Sequence, residues 1–141
     1  MSKKGILIIG AGGVSRVATV KCAMNIDTFE KITLASRTVS KCESMAADIL
    51  KNQGVKIDVA SVDADNVDEL VKLIQNVNPK LVLNVALPYQ DLTIMDACTK
   101  CGVDYVDTAN YEHPDEAKFE YKEQWARNDQ FKEAGIMGLL G

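Results

Sequence analysis

A chain of 141 residues, 47% hydrophobic and 26% charged, has room for one domain with a true core and too little for two. Its formal charge of -4 and its lack of a basic cluster exclude electrostatic partnership with nucleic acid or an anionic membrane surface. No apolar run has the length of a membrane span or a signal-peptide core, and the four cysteines suit a reducing compartment, so a cytoplasmic protein is expected.

Gly5-Ile6-Leu7-Ile8-Ile9 is continuously apolar, as in a strand buried on both faces, and runs into Gly10-Ala11-Gly12-Gly13-Val14-Ser15. The spacing of Val14, Val17, Ala18 and Cys22 predicts a helix to about Met24, closing near Asn25-Ile26-Asp27. Residues 31–35 read as a second strand, and residues 40–53 as a helix with Cys42, Met45, Ala46, Ile49 and Leu50 on one face, stopped by Gly54. Residues 56–62 form the third predicted strand. Asp65 then stands where it would cap a helix bearing Val67, Leu70, Val71, Ile74 and Val77, which Asn78-Pro79 ends. Residues 81–85 read as a fourth strand, 90–101 as a helix and 103–108 as a fifth strand. A long helix over 115–133, with Pro114 near its start, and a sixth strand over 136–141 complete the series.

Strands alternating with helices through short connections predict an α/β fold, a doubly wound six-stranded parallel sheet in the order 3-2-1-4-5-6, that is, a Rossmann fold. Residues 1–141 form one such domain without an internal boundary. The chain stops on its sixth strand, where a substrate and dimerisation domain is expected to follow in a longer protein.

The Gly-rich segment between first strand and first helix is the context that gives a GxGxxG-like pattern its meaning. Gly10 permits the tight turn. Gly12 lets the backbone approach a pyrophosphate, and Gly13 and Val14 open a helix whose free N–H groups favour phosphate. Ser15 departs from the usual Gly or Ala at the third position. The second strand ends in Ser36-Arg37-Thr38, without the acid that would bind a ribose 2′-hydroxyl; Arg37, two hydroxyls and nearby Lys41 offer a nest for a 2′-phosphate, which favours NADP over NAD. Asp63 and Ala64 follow the third strand, where the adenine edge would lie. Asn84, Ala86 and Pro88 after the fourth strand, and Thr108 after the fifth, are expected along the ribose and nicotinamide.

No catalytic set is visible. His113 reads as an exposed loop residue, Tyr121 is followed at the fourth position by Trp125 instead of Lys, and no GxSxG elbow occurs. Cys98-Thr99-Lys100-Cys101 lacks partners for a zinc site and sits at the wrong helix end for redox work, so no metal is expected. Phe119, Tyr121, Trp125 and Phe131 are expected to pack on the sheet or meet the missing domain.

Several segments resemble the saccharopine dehydrogenase family: Gly10-Ala11-Gly12-Gly13-Val14, Ala35-Ser36-Arg37-Thr38, Asn84-Val85-Ala86-Leu87-Pro88-Tyr89, and above all Val106-Asp107-Thr108-Ala109-Asn110-Tyr111-Glu112 with Phe119-Glu120-Tyr121-Lys122-Glu123-Gln124-Trp125. The resemblance is strongest to its carboxynorspermidine-forming branch. It implies the NADPH-dependent reduction of an imine, a small-molecule substrate formed between a diamine and aspartate semialdehyde, by an enzyme that is a homodimer at full length. The lysine-metabolism branch, acting on lysine-derived imines, is an alternative. A non-catalytic nucleotide-sensing module, which would want an acid after the second strand, and a methyltransferase are the readings from other classes.

Overall fold

The computed structural model describes residues 2–118 and 120–141; Phe119, and with it the packing expected of that side chain, lies outside them. The described elements are β1 (Ile6–Ile9), α1 (Gly13–Met24), α2 (Ile26–Phe29), β2 (Ile32–Ser36), α3 (Val39–Gln53), β3 (Asp58–Ser61) and α4 (Val67–Val77). They continue with β4 (Leu81–Asn84), a 3-10 turn (Pro88–Gln90), α5 (Asp91–Cys101), β5 (Asp104–Asp107), α6 (Lys122–Trp125), α7 (Asn128–Ala134) and β6 (Gly138–Leu139). All five strand pairings are parallel, and the sheet order is β3-β2-β1-β4-β5-β6, as the alternating pattern predicts.

Alternation along β1 divides the core. Ile6 and Ile8 face α1 and α3, packing with Cys22, Ala23, Cys42, Met45 and Ile49, while Leu7 and Ile9 face α4, α5 and α7 through Leu70, Ile74, Ile94, Cys98 and Phe131. A strand with a helical layer on each side must be apolar throughout, which is why β1 has no polar position. The chain turns away from β1 in opposite directions to reach β2 and β4, and this switch point opens a crevice at the strands' carboxyl ends.

The structure departs from the periodicity in three places. Val14 and Val17 of α1 are 60% and 61% exposed, and the helix buries Ser15, Thr19, Cys22 and Ala23 instead, because only small side chains let it lie close to the sheet. Asn66, not Asp65, caps α4: its side chain accepts from Asp68 N and Glu69 N at 3.1 and 3.2 Å. The long helix expected over 115–133 is replaced by turns and the short helices α6 and α7, with Gln124 turned into the core. Phe131 does pack inward, edge-on to Tyr105, whereas Trp125 is 66% exposed.

Candidate functional site

The crevice at the switch point holds a cleft of about 370 Å³, lined by Ile9, Gly10, Ala11 and Gly12 after β1, Ser36, Arg37 and Thr38 after β2, and Val62, Ala64 and Asp65 after β3. Val85, Ala86, Leu87, Tyr89 and Gln90 after β4 complete it. The strand ends converge because hydrogen bonding continues one step past the sheet, from Gly10 N to Ala35 O, Val85 N to Ile9 O and Val62 N to Ser36 O.

Gly10 holds φ +119° while pressed against the neighbouring loop; a Cβ there would lie 2.6 Å from Val85 O and 2.8 Å from Ala86 N. No other residue type fits. Gly12 differs: it has an ordinary extended backbone, and a Cβ on it would meet nothing within 4 Å. The space that its missing side chain leaves belongs to the cleft. Beyond it, Gly13 and Val14 are exposed at the start of α1, which has no side-chain cap and no acid in its first turn. Its leading N–H groups are therefore available to an anion, and the dipole adds to that preference. An open glycine beside an uncapped helix end fits a pyrophosphate.

At the end of β2 the sequence expectation is changed by partners it could not reveal. Ser36 Oγ is turned into its own loop, donating to Thr38 O and accepting from Thr38 N. Arg37 is bound by two carboxylates from the β3–α4 loop, with Nη2 2.8 Å from Asp63 Oδ1 and 3.0 Å from Asp65 Oδ2. The strand's missing acid is thus supplied from 26 and 28 residues away. Asp63 pairs with Arg37 and does not line the cleft; Asp65 does. The Arg37 hydrogen bond holds the Asp63 carboxyl below its ordinary range.

The β4 end is shaped from behind. Asn84 is 2% exposed and does not face the cleft; its Nδ2 donates to Asp91 Oδ1 at 2.7 Å and to the Tyr105 hydroxyl at 3.1 Å, while its Oδ1 accepts from Ala86 N at 3.0 Å. Tyr105 in turn donates to Asp107 Oδ2 at 2.7 Å, which also accepts from Gln124 Nε2 at 2.8 Å. This buried chain fixes the Ala86 turn. Asp91 Oδ2 has no hydrogen-bond partner among the described residues, and burial, then the nearby Asp107, push its carboxyl up to about 8 against the pull of the Asn84 bond. Pro88 starts the 3-10 turn without lining the cleft, and Thr108 is exposed beyond β5, outside it. Of the expected residues, Gly10, Gly12, Ser36, Arg37, Thr38, Ala64 and Ala86 share the cleft, Gly13 and Val14 stand at the helix start beside it, and Asp63, Asn84, Pro88 and Thr108 do not line it.

Leu87 and Tyr89 of the segment 84–89 line the cleft too, as do Asp65, which the sequence offers only as a helix cap, and Gln90. Their position directly after predicted strand ends was the available signal. A second hollow, about 540 Å³, lies between α6, α7 and β6 and is bordered by Met95, Trp125, Phe131 and Met137. Arg127 and Lys132 also border it, Arg127 held by Asp96, and it lacks the glycine-rich strand-to-helix turn of the cleft. The thiols of Cys22, Cys42 and Cys98 are buried, and burial raises all three above the ordinary thiol range.

Residues 6–139 match the family described as saccharopine dehydrogenase NADP binding domain. The chain is 55% identical over 136 residues to carboxyaminopropylagmatine dehydrogenase from Synechocystis, covering 96% of this chain and 33% of that protein. It is 42% identical over 145 residues to carboxynorspermidine synthase from Vibrio alginolyticus, covering 96% and 35%. This chain thus spans about a third of the length of these relatives. Among solved structures, saccharopine dehydrogenase from Saccharomyces cerevisiae shares the fold at TM-score 0.73 and 18% identity, over 97% of this chain and 26% of that one.

Proposed function

The chain belongs to the saccharopine dehydrogenase NADP-binding domain family, and on that premise we propose that it is the cofactor-holding part of an NADPH-dependent oxidoreductase forming a carboxyaminopropyl-amine. When bound, NADPH supplies a hydride to an imine carbon; the residues described here bind, orient and shield. Gly12 and the N–H groups opening α1 receive the pyrophosphate, Arg37 and Thr38 face the adenosine 2′-phosphate, Ala64 borders the adenine, and the Ala86 turn carries the nicotinamide end.

The amine is agmatine in preference to a diamine such as norspermidine's precursor. The observation that carries this choice is the identity of 55% to the agmatine-type dehydrogenase against 42% to the norspermidine-type synthase over nearly the same residues. A carboxyaminopropyl group on an amine nitrogen is the carbon skeleton of aspartate semialdehyde after reductive condensation, so both relatives' products fit one chemistry with different amines. The lysine-type reading rests on the family's description and a fold-level likeness at 18% identity, against 55% and 42% for the carboxyaminopropyl-amine relatives. A separate substrate portion, covering the exposed apolar face of Trp125, Met137 and Leu139, completes the enzyme in the reducing cytoplasm.

Calorimetric titration of the chain with NADPH and with NADH tests the cofactor reading: saturable binding tighter for NADPH supports it, and no heat with either refutes it. The substrate reading is tested by NADPH oxidation in the longer protein, with aspartate semialdehyde and either agmatine or a diamine. Turnover faster with the diamine would refute the choice of agmatine.

A further inference from the structure

Arg37 borders the cleft already engaged, and its two acidic partners are not equivalent. Asp63 is built into the loop: its Oδ1 accepts from Asp65 N at 3.1 Å as well as from Arg37, and its own N–H donates to Glu69 Oε2 at 3.1 Å. The Asp65 carboxylate, 52% exposed, has Arg37 as its ion-pair partner among the described residues and lines the cleft. Its position is nonetheless set by the backbone, through Asp65 N and through the Thr93 hydroxyl, which donates to Ala64 O at 2.5 Å.

One guanidinium shared between two carboxylates leaves this corner of the cleft with a net negative charge. A phosphate dianion entering it must take the guanidinium from Asp65 and lie against that carboxylate's charge. A ribose that carries only hydroxyls meets no such repulsion and finds an acceptor in Asp65. Exposed pairs of this kind are weak and readily exchanged, so the competition modulates binding without forbidding it.

We propose that Asp65 is a specificity-determining residue, which competes with the 2′-phosphate for Arg37 and holds the cleft's preference for NADP over NAD below what Arg37 alone would give. The proposal rests on the cofactor reading above.

Binding of NADPH and NADH to the wild-type chain, Asp65→Asn and Asp65→Ser is measured by calorimetry, with a thermal melt of each. Both variants are expected to melt as the wild type does, to bind NADPH about tenfold more tightly and to bind NADH within about twofold or more weakly. In an Arg37→Gln background the gain from Asp65→Asn should fall to about twofold or less. If the wild type binds NADPH but both Asp65 variants leave the NADPH-to-NADH ratio unchanged or lower it, the proposal falls while the cofactor reading stands. An equal gain without Arg37 also overturns it. If the wild type binds neither dinucleotide, both fall.

Discussion

Gly12→Ala separates what the fold needs from what the cleft needs. The backbone at Gly12 is at φ -89° and ψ -167°, open to any residue, and the added Cβ meets nothing within 4 Å. Losing glycine at an N-cap costs roughly 0.5–1 kcal/mol, and the reduced freedom of the unfolded chain returns about 0.4–1 kcal/mol, so the two nearly cancel. The melting temperature should move by no more than about 2 °C. The methyl group, however, projects into the open space beside the first N–H groups of α1, where the pyrophosphate is proposed to lie. A displacement of the diphosphate by even a fraction of the methyl's radius breaks several charge-assisted hydrogen bonds, and a loss of about 2 kcal/mol, roughly thirtyfold in NADPH affinity, is expected. Gly10→Ala is the contrast: overlap with Val85 O and a positive φ make it destabilising as well as inactive in binding. Calorimetry for affinity and a thermal melt for stability read both effects on the same samples. If Gly12→Ala binds NADPH within about threefold of the wild type, the diphosphate does not pass over this glycine and the reasoning fails.

Other perturbations follow from the same structure. Asp91→Asn should flatten the pH dependence of stability. A folded-state carboxyl near 8, against an unfolded value near 3.8, means that the folded state holds the proton more tightly, so wild-type stability declines as pH rises between those values and levels off above them. The variant's advantage in unfolding free energy, measured by urea denaturation, should therefore grow from pH 4 to pH 8 and reach a few kcal/mol at most; no change with pH would contradict the burial of an ionisable Asp91. Asn66→Ala removes the two cap bonds of α4 and should cost about 1 kcal/mol in chemical denaturation, where a loss below about 0.3 kcal/mol would count against the cap. Cys22, Cys42 and Cys98 should resist alkylation in the native state at neutral pH, because burial raises their thiols, and mass mapping after iodoacetamide checks it. Rapid labelling of Cys98 would mean that the β5 side of the core opens readily.

The sheet was legible in the sequence because strands buried on both faces need unbroken apolar runs, and the run at Ile6–Ile9 cannot be placed elsewhere. The Gly-rich turn was legible for the same reason, since its glycines follow directly on that strand. The face of α1 was not. Periodicity counts apolar residues, whereas the contact that matters there is close approach, which selects Ser15 and Thr19 over Val14 and Val17. The partners of Arg37 were hidden by sequence distance, since only the fold brings the β3–α4 loop beside the β2 end. Asn84 looked like a cleft residue from its place at a strand end, but alternation along β4 turns it inward, where Asp91 and Tyr105 hold it. The C-terminal helix is overextended in the sequence reading because charged and aromatic residues alternate there without a clear helical stripe, whereas buried Gln124, in the short α6, accepts from Tyr111 N at 3.0 Å.

The direct measurement is where NADPH lands. In a titration of the isotope-labelled chain followed by amide chemical shifts, the largest changes should fall on residues 10–14, 36–38, 64–65 and 85–90, with Trp125 and Met137 unmoved. Shifts concentrated instead on α6, α7 and β6, or absent at saturating NADPH, would place the cofactor elsewhere and contradict the site described here.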